Sequence, residues 1–294
     1  MAVGDIISVA RYNTLQSEIV RTLGNGDTTF GYGQSVQSIA LASGNRVNAT
    51  HMQRLQGDVT KCYAHQTGMV PPSLTSVVTQ DDITDAVYAE YESIIQEVGD
   101  ANNRFRIDIG EITTSQVLDS SRTASWGGSG DPSQFITHEF TVTFSNFDAR
   151  RHFFNSGGQI RFAASLINGT NAKSTDWAGL LSSIGTVVFD YSQTTVTGTG
   201  NGSTIGNFEL TSSFQTIFSK SGSGTYSDST YIIEALAAAN SPVITFKITF
   251  NDGENGFVDE SVTGTVRSII SEQRATGFYV TLPAPLYQTT ITLA

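Results

Sequence analysis

Residues 135–144 read Phe-Ile-Thr-His-Glu-Phe-Thr-Val-Thr-Phe, so apolar side chains alternate with polar ones. A period of two places Ile136, His138, Phe140 and the two following even-numbered residues on one face of a β-strand. Similar patterns recur from about residue 110 onward, separated by clusters of Gly, Asn, Asp and Ser that are typical of turns. They predict strands at 160–166, 187–191, 231–236, 243–250, 262–266 and 286–293. About nine short strands with this punctuation indicate an antiparallel β-sandwich of jelly-roll-like organisation.

The N-terminal part of the chain has a different period, and it contains a repeat. Ser8, Asn48 and Thr84 are each followed by apolar residues four, seven and eleven positions later. This spacing predicts an N-cap residue and a helix with one apolar stripe. The predicted helices cover about 8–23, 48–66 and 84–98, and they end at Gly24, Gly68 and Gly99. Such stripes can form a three-helix bundle, or they can dock partly on another subunit.

The change of period near residue 110 divides the chain. We predict an α+β protein with a domain of repeated short helices at 1–110 and an antiparallel β-sandwich domain at 111–294. One further helix is predicted inside the β-rich part, where Thr175 can cap residues 176–184. That segment places Trp177, Leu180, Leu181 and Ile184 on one face.

The composition limits the classes of function. Only 15% of the residues are charged, whereas Gly, Ser and Thr together make up a third of the chain. The apolar and aromatic content is too high for a disordered protein, and no apolar run is long enough to span a membrane. The net charge of −11 opposes binding to the phosphate backbone of nucleic acids. Low charge in a β-rich chain suggests surfaces that rest on other protein.

A search for catalytic or metal-binding patterns identifies no strong one. Cys62 is the single cysteine, which excludes an intrachain disulfide and a thiolate metal cluster, and we interpret it as a packed helix residue. The four histidines lack zinc-binding spacing, and His138 is expected to be a buried structural residue. Nucleophile-elbow and phosphate-loop motifs are absent from the sequence. We therefore predict no catalytic residues, no cofactor, no metal and no enzymatic activity.

The acidic loop at 251–256, Asn-Asp-Gly-Glu-Asn-Gly, leaves an alternative open. Its oxygen atoms, including those of Asp252 and Glu254, are ligands that Ca²⁺ accepts, although the register of an EF-hand is lacking. The simpler interpretation is a hairpin turn between two strands rich in Phe and Val. Asp259 and Glu260, which follow it, have the chemistry of a general acid and base.

Arg150 and Arg151 lie between aromatic pairs in residues 147–162, a segment predicted as a loop that enters a strand. Two adjacent guanidinium groups can recognise an anion or a carboxylate of a partner. The alternative is an internal ion pair with Asp148 or another acid, with the neighbouring phenylalanines in the core.

Residues 153–162, Phe-Phe-Asn-Ser-Gly-Gly-Gln-Ile-Arg-Phe, resemble a segment that recurs in virion structural proteins of tailed bacteriophages, particularly marine and cyanobacterial ones. The opening at 4–8 with Tyr12-Asn13, and the segment Phe-Gly-Tyr-Gly-Gln at 30–34, resemble the same proteins. These motifs are architectural rather than catalytic. The resemblance implies a tail, neck, baseplate or fibre component of a virion, made in the host cytoplasm, whose partners are other virion proteins.

We therefore expect a structural virion protein that docks through its helical repeat and forms a homo-oligomer. The candidates for interaction are Arg150, Arg151, Phe153, Phe154, Tyr12, Tyr32 and Trp126. An alternative is a carbohydrate-binding module that recognises a host surface glycan through Trp126 and aromatic loops. A third hypothesis is a polysaccharide-degrading enzyme that uses Asp259 and Glu260.

Overall fold

The computed structural model describes residues 8–78, 83–129, 133–253 and 259–293 of the chain. The opening motif at 4–7 lies outside the described residues, and so does Glu254 with the rest of the acidic loop at 254–256. The architecture is α+β, with helices and two antiparallel sheets, as the change of hydrophobic period predicts. Among the described residues, no helix combines the length and the apolar character needed to cross a bilayer.

Three helices form in the N-terminal part, and each begins at its predicted N-cap. The side chains of Ser8, Asn48 and Thr84 accept hydrogen bonds from backbone amides three residues later. The predicted end at Gly68 is confirmed, because this glycine adopts a left-handed conformation with φ of 72°. The third helix also ends at its predicted glycine, Gly99, whereas the first ends at Thr22, two residues before Gly24. The helices are α1 (Val9–Thr22), α2 (Ala49–Thr67) and α3 (Asp85–Gly99).

The apolar stripes of these helices are buried, as the spacing predicts. Each contributes three residues to the interior: Tyr12, Leu15, Ile19; Met52, Leu55, Val59; and Tyr88, Tyr91, Ile95. The connection between α1 and α2 is fixed by polar side chains of the helices. The carboxylate of Asp58 accepts hydrogen bonds from the amides of Gln37 and Ser38, and Asn13 exchanges two hydrogen bonds with Leu41.

Ten strands are assigned in the described part of the chain. They are β1 (Ile112–Arg122), β2 (Phe135–Thr143), β3 (Gln159–Ile167), β4 (Val187–Phe189), β5 (Thr194–Val196), β6 (Gln215–Ser221), β7 (Thr230–Leu236), β8 (Val243–Asn251), β9 (Thr265–Ala275) and β10 (Leu286–Ile291). One sheet has the order β1-β9-β3-β4-β5, and the other has the order β10-β2-β8-β7-β6. Half of the eight neighbouring pairs join strands that are not consecutive in the sequence.

An aromatic cluster centred on Phe246 of β8 joins the two sheets. Its ring stacks on Phe140 of the adjacent strand, with centroids 5.3 Å apart. Phe162 and Phe189 approach it from the other sheet, each with a centroid distance of 5.2 Å. These contacts explain why the apolar face of residues 135–144 is buried, and they place the core of this part of the protein between the sheets.

Two later helices differ from the sequence prediction. Residues 147–155 form helix α4 (Phe147–Asn155) rather than a loop. Helix α5 (Ala172–Ile184) begins at Asn171, whose side chain accepts from the amide of Ser174, and not at Thr175. The predicted face of α5 is nevertheless correct, since Trp177, Leu180, Leu181 and Ile184 are all buried.

The connection from β8 to β9 is not a hairpin. These two strands belong to different sheets, so the segment between them crosses from one layer to the other. Val262 forms only an isolated bridge with Trp126, and the long strand β9 begins at Thr265. The prediction of a hairpin turn at 251–256 is therefore wrong. The local sequence does not reveal that β8 and β9 belong to different sheets, because strands that follow each other in the sequence often pair. Only the packing of the two sheets places these strands in different layers.

The chain divides into two compact units. Unit 1 comprises the described residues up to Thr113 together with 151–157 and 274–283, and unit 2 comprises the remainder. The first boundary lies three residues beyond the predicted one at 110. The two short returns of the chain to unit 1 were not predicted. One is the second half of α4, and the other is the end of β9 with the connection that follows it.

His138 of β2 is buried between the sheets of unit 2, as expected for a structural histidine. Its Nδ1 lies 2.9 Å from Oγ of Ser268, and its Nε2 lies 3.4 Å from Oγ1 of Thr289. Burial disfavours the charged imidazolium and lowers the pKa of His138 to about 4. The folded protein therefore holds this histidine neutral over a range in which the unfolded chain binds a proton.

We expect His138 to destabilise the fold as the pH falls from about 6.5 to about 4, because over this range the unfolded state gains a proton that the folded state does not. His138→Gln keeps a side chain that can hydrogen-bond to Ser268 but does not titrate. Urea unfolding across this pH range should show a smaller loss of unfolding free energy for the variant than for the parent. Parallel pH profiles for the two proteins would contradict the assignment.

Candidate functional site

The two most exposed large apolar residues in the described part of the chain belong to unit 1, and we call them the apolar patch. They are Ile109 and Phe278, whose side chains are 86% and 90% exposed. The exposed residues Met69 and Val70 lie on the adjoining part of this unit. They directly follow Gly68, where an added Cβ atom would lie 2.6 Å from Cγ of Asp108, the residue before Ile109. Large apolar groups exposed together are uncommon in a chain that does not bind another surface.

The patch is held on a rigid base by the carboxylate of Glu111. This side chain accepts hydrogen bonds from three successive backbone amides, those of Phe278 at 3.1 Å, Tyr279 at 3.1 Å and Val280 at 3.3 Å. Ile109 and Glu111 belong to the same short 3-10 turn, so one carboxylate connects both apolar residues. Gly277 completes the turn, because a Cβ atom at that position would overlap the carboxylate.

The protonation of Glu111 follows from these contacts. Burial acts to raise the pKa of the carboxyl group, but the nearby imidazole of His65 and the three amides stabilise the charged form more strongly. The net effect lowers the pKa of Glu111 below its usual value of 4.5. The carboxylate therefore holds the loop across the neutral range, and this stabilisation is lost only as the pH falls below that value.

The two predicted anion-binding arginines are buried. Arg150 donates to Oδ1 of Asn207 at 2.7 Å and to the backbone oxygens of Asn207 and Ser241, each at 3.0 Å. Burial lowers its pKa to about 10. Arg151 donates to the backbone oxygen of Asn25 at 2.9 Å. Neither guanidinium group is presented to a partner, because each is directed at backbone or amide oxygens of its own unit.

The other interaction candidates are also in the interior. Phe153 and Phe154 pack edge to face with centroids 5.0 Å apart, as the alternative interpretation of this segment requires. Tyr12 is fully buried in the helical unit. Tyr32 accepts a hydrogen bond of 2.7 Å from Gln66 and donates to the backbone oxygen of Arg104. Trp126 packs edge to face on Trp177 at 5.0 Å, so its ring is not available as an open sugar platform.

A second feature, in unit 2, is the buried ammonium group of Lys173. We call Lys173, Asp252 and Asp259 the lysine cluster. The Nζ atom lies 2.8 Å from Oδ2 of Asp252 and in hydrogen-bond contact with Oδ1 of Asp259. The two carboxylates outweigh the effect of burial, which on its own would lower the pKa of Lys173, and they raise it.

The two aspartates of the lysine cluster have different surroundings. Asp252 also accepts from the amide of Gly128 at 3.0 Å and from the hydroxyl of Ser229 at 3.3 Å. Oδ2 of Asp259 is buried and has no hydrogen-bond partner within the described ranges. Both oxygens of Asp252 thus accept hydrogen bonds, whereas Oδ2 of Asp259 has no such partner among the residues that the structure describes.

The lysine cluster shows what the described part of the acidic loop contacts. Asp252 already forms an ion pair with the ammonium group of Lys173, which neutralises the charge that would attract a cation. No group of three or more His, Cys, Asp or Glu side chains suited to a metal occurs among the residues that the structure describes. Glu260 is committed as well, because it accepts from the Lys173 amide at 2.9 Å and from the Tyr226 hydroxyl at 3.0 Å.

Sequence reasoning missed the residues that shape both features. Lys173, Glu111 and Phe278 belong to no motif, and each acts through segments distant in the sequence. A usable signal existed only for Lys173, since the second position of an apolar helix is an unusual place for a charged residue.

Comparison with protein-family models, curated proteins and solved structures found no match to this chain.

We expect Glu111→Gln to loosen the loop at 276–281. Hydrogen bonds to a charged acceptor contribute about 1.5–3 kcal/mol each, and the amide side chain replaces only part of that. Amide hydrogen exchange at residues 278–280 should therefore become faster, with an overall loss of about 1–3 kcal/mol in unfolding free energy. Glu209→Gln, another carboxylate that accepts from a backbone amide, serves as the control, because it lies in unit 2. Unchanged exchange at 278–280 would show that the carboxylate does not hold the loop.

Proposed function

We propose that this protein is a non-enzymatic structural component of a tailed-phage virion, and that it assembles through the apolar patch of unit 1. The observation that carries the proposal is the exposure of Ile109 and Phe278 on a loop fixed by a buried carboxylate. A rigid loop loses little conformational entropy when it binds, so exposed apolar side chains on it are suited to permanent contacts.

The contacts of the phage-like motifs support an architectural role. Asn155, from the segment at 153–162, donates to the backbone oxygens of Thr29 at 3.0 Å and Gly31 at 3.2 Å. Gly33 meets the ring of His152, which a Cβ atom would overlap. Residues 30–34 and 153–157, from two of the segments that carry the resemblance, are thus parts of one packed structure in unit 1. Motifs with such contacts have a structural role in the packing of the protein.

The finer organisation belongs to the same proposal. We infer that α1, α2 and α3 are copies of one repeated unit and that the two facing sheets form a jelly-roll-like sandwich. In this proposal unit 1 anchors the chain to neighbouring virion proteins or to further copies of itself, as a homo-oligomer. The sheets provide other subunit or host-surface contacts. The location is the virion, after synthesis in the host cytoplasm.

Recognition of a host surface glycan is a second candidate, and one observation favours it. Phe278 and Tyr279 form an edge-to-face pair at 5.2 Å on the exposed loop, an apolar surface of the kind that sugar rings stack on. In this candidate function the exposed aromatic pair takes the role that the sequence analysis gave to Trp126, which is buried. Glycan-array binding that Phe278→Ala abolishes would favour it over assembly through the same residue.

We expect the protein to be found in purified particles at a fixed copy number. Quantitative mass spectrometry of gradient-purified virions from cells infected with the source phage measures this directly. A copy number that stays constant between preparations supports the structural role. Absence of the protein from infectious particles would overturn it.

We expect Phe278→Asp to weaken self-association by about tenfold or more, because a buried apolar anchor contributes on the order of 1–2 kcal/mol to an interface. Sedimentation velocity over a concentration series measures the change. Ile167→Asp is the matched control, since Ile167 is an exposed apolar residue of unit 2. Equal association of the parent and Phe278→Asp would exclude the patch as the contact between copies.

A further inference from the structure

The lysine cluster of unit 2 has the arrangement needed for covalent chemistry within the chain. Lys173 and Asp252 have fully buried side chains, and that of Asp259 is 6% exposed. We propose that Lys173 and Asp252 form an intramolecular amide bond between their side chains, with Asp259 as the group that transfers the protons. This inference concerns unit 2 alone and does not depend on the proposed role in a virion.

Proximity provides the first support. Nζ of Lys173 lies 2.8 Å from Oδ2 of Asp252, and both groups are held in place by a helix and a strand end. Two groups fixed in this way react as if at an effective concentration of about 10⁵–10⁸ M when their orbitals are aligned. Amide formation from an amine and a carboxyl group is unfavourable in water. Burial of both side chains disfavours the competing hydrolysis, and transfer of the released water molecule to the solvent favours the product.

The different surroundings of the two aspartates assign their roles. Oδ2 of Asp252 accepts from the amide of Gly128 at 3.0 Å, and Oδ1 accepts from Ser229 at 3.3 Å. These donors stabilise the negative charge that develops on the oxygens of Asp252 when its Cγ atom is attacked. Asp259 touches the ammonium group through Oδ1 and keeps Oδ2 without a partner among the described residues. It is therefore placed to accept a proton and to pass it on.

The atoms balance without any added reagent. Asp259 takes one proton from the Lys173 ammonium group, and the lone pair of the resulting amine attacks Cγ of Asp252, forming the C–N bond. Electrons of the C=O bond move to Oδ2, next to the Gly128 amide. Asp259 delivers the first proton to Oδ1, accepts a second from the nitrogen of the adduct and delivers that one too. Oδ1 then leaves as water, and the amide replaces one ammonium and one carboxylate.

The product replaces two of the three charges of the lysine cluster by a neutral amide, whose N–H is a hydrogen-bond donor for the carboxyl group of Asp259. A buried ion pair retains most of the desolvation penalty of two charges, and its attraction repays that penalty only in part. An amide in the same place carries no net charge, and its oxygen can keep the hydrogen bond from Gly128. The bond would also join α5 covalently to the end of β8, so that unfolding of unit 2 would leave a closed loop.

The test is the intact mass of the full chain, purified and measured under denaturing conditions. We expect the mass to be lower than that of the sequence by one water molecule. Proteolysis should release a branched peptide that joins the segments containing Lys173 and Asp252. A folded parent protein with the full sequence mass, even after prolonged incubation, overturns the proposal.

Two other products of the same mass are distinguished by the peptide map. Asp252 precedes Gly253, and an Asp-Gly pair can lose water by closing to a succinimide within a linear peptide. Water loss found in that linear peptide contradicts the proposal. A branched peptide that contains Asp259 in place of Asp252 overturns the assigned roles.

Single substitutions test the roles of Lys173 and Asp259 separately. Lys173→Arg keeps the positive charge but removes the nucleophile, so it should have its full sequence mass, and Asp259→Asn should cross-link at least tenfold more slowly than the parent. Lys247→Arg is the matched control, because Lys247 pairs with Glu234 at 2.7 Å in a partly exposed position. That variant should still lose one water molecule. Circular dichroism confirms that each variant folds, and a folded Lys173→Arg variant that still lost water would contradict the mechanism.

Discussion

The ammonium group of Lys173 is enclosed by two carboxylates in the interior of unit 2, and several chain segments meet at it. The N-terminus of α5, the glycine turn at 127–128, the serine before β7 and the end of β8 all contribute a charge or a donor. An unpaired charge in such a place would cost several kcal/mol. The positions of these segments therefore depend on one another. The same contacts fix the end of β8, where the chain leaves one sheet for the other.

The same rule governs unit 1, where single polar side chains fix long irregular segments. Asp58 holds the amides of Gln37 and Ser38, and Glu111 holds those of Phe278 to Val280. A buried carboxylate is stabilised when it accepts several backbone hydrogen bonds, and the backbone amides are satisfied in return. A chain with few charged residues can use them in this way because each one organises a whole loop.

Assembly through the apolar patch and amide formation in the lysine cluster involve different units and different physics. Assembly through Ile109 and Phe278 depends on apolar surface that water leaves when a partner binds. The amide bond depends on the opposite situation, a site from which water is already excluded. A covalent link across the end of unit 2 would suit a particle that must survive outside a cell, yet it would be equally useful in any exposed protein.

The sequence by itself determined the class of the fold, the three N-terminal caps, the buried faces of α1, α2, α3 and α5 and the inward direction of His138. These features depend on neighbours a few residues away, where hydrophobic period and capping chemistry act directly. The tertiary structure decided that β8 and β9 lie in different sheets and that two later segments return to unit 1. It also decided that the adjacent arginines are buried and that Lys173 meets Asp252 and Asp259. Each of these outcomes depends on contacts between residues far apart in the chain, and local sequence does not identify the partners in those contacts.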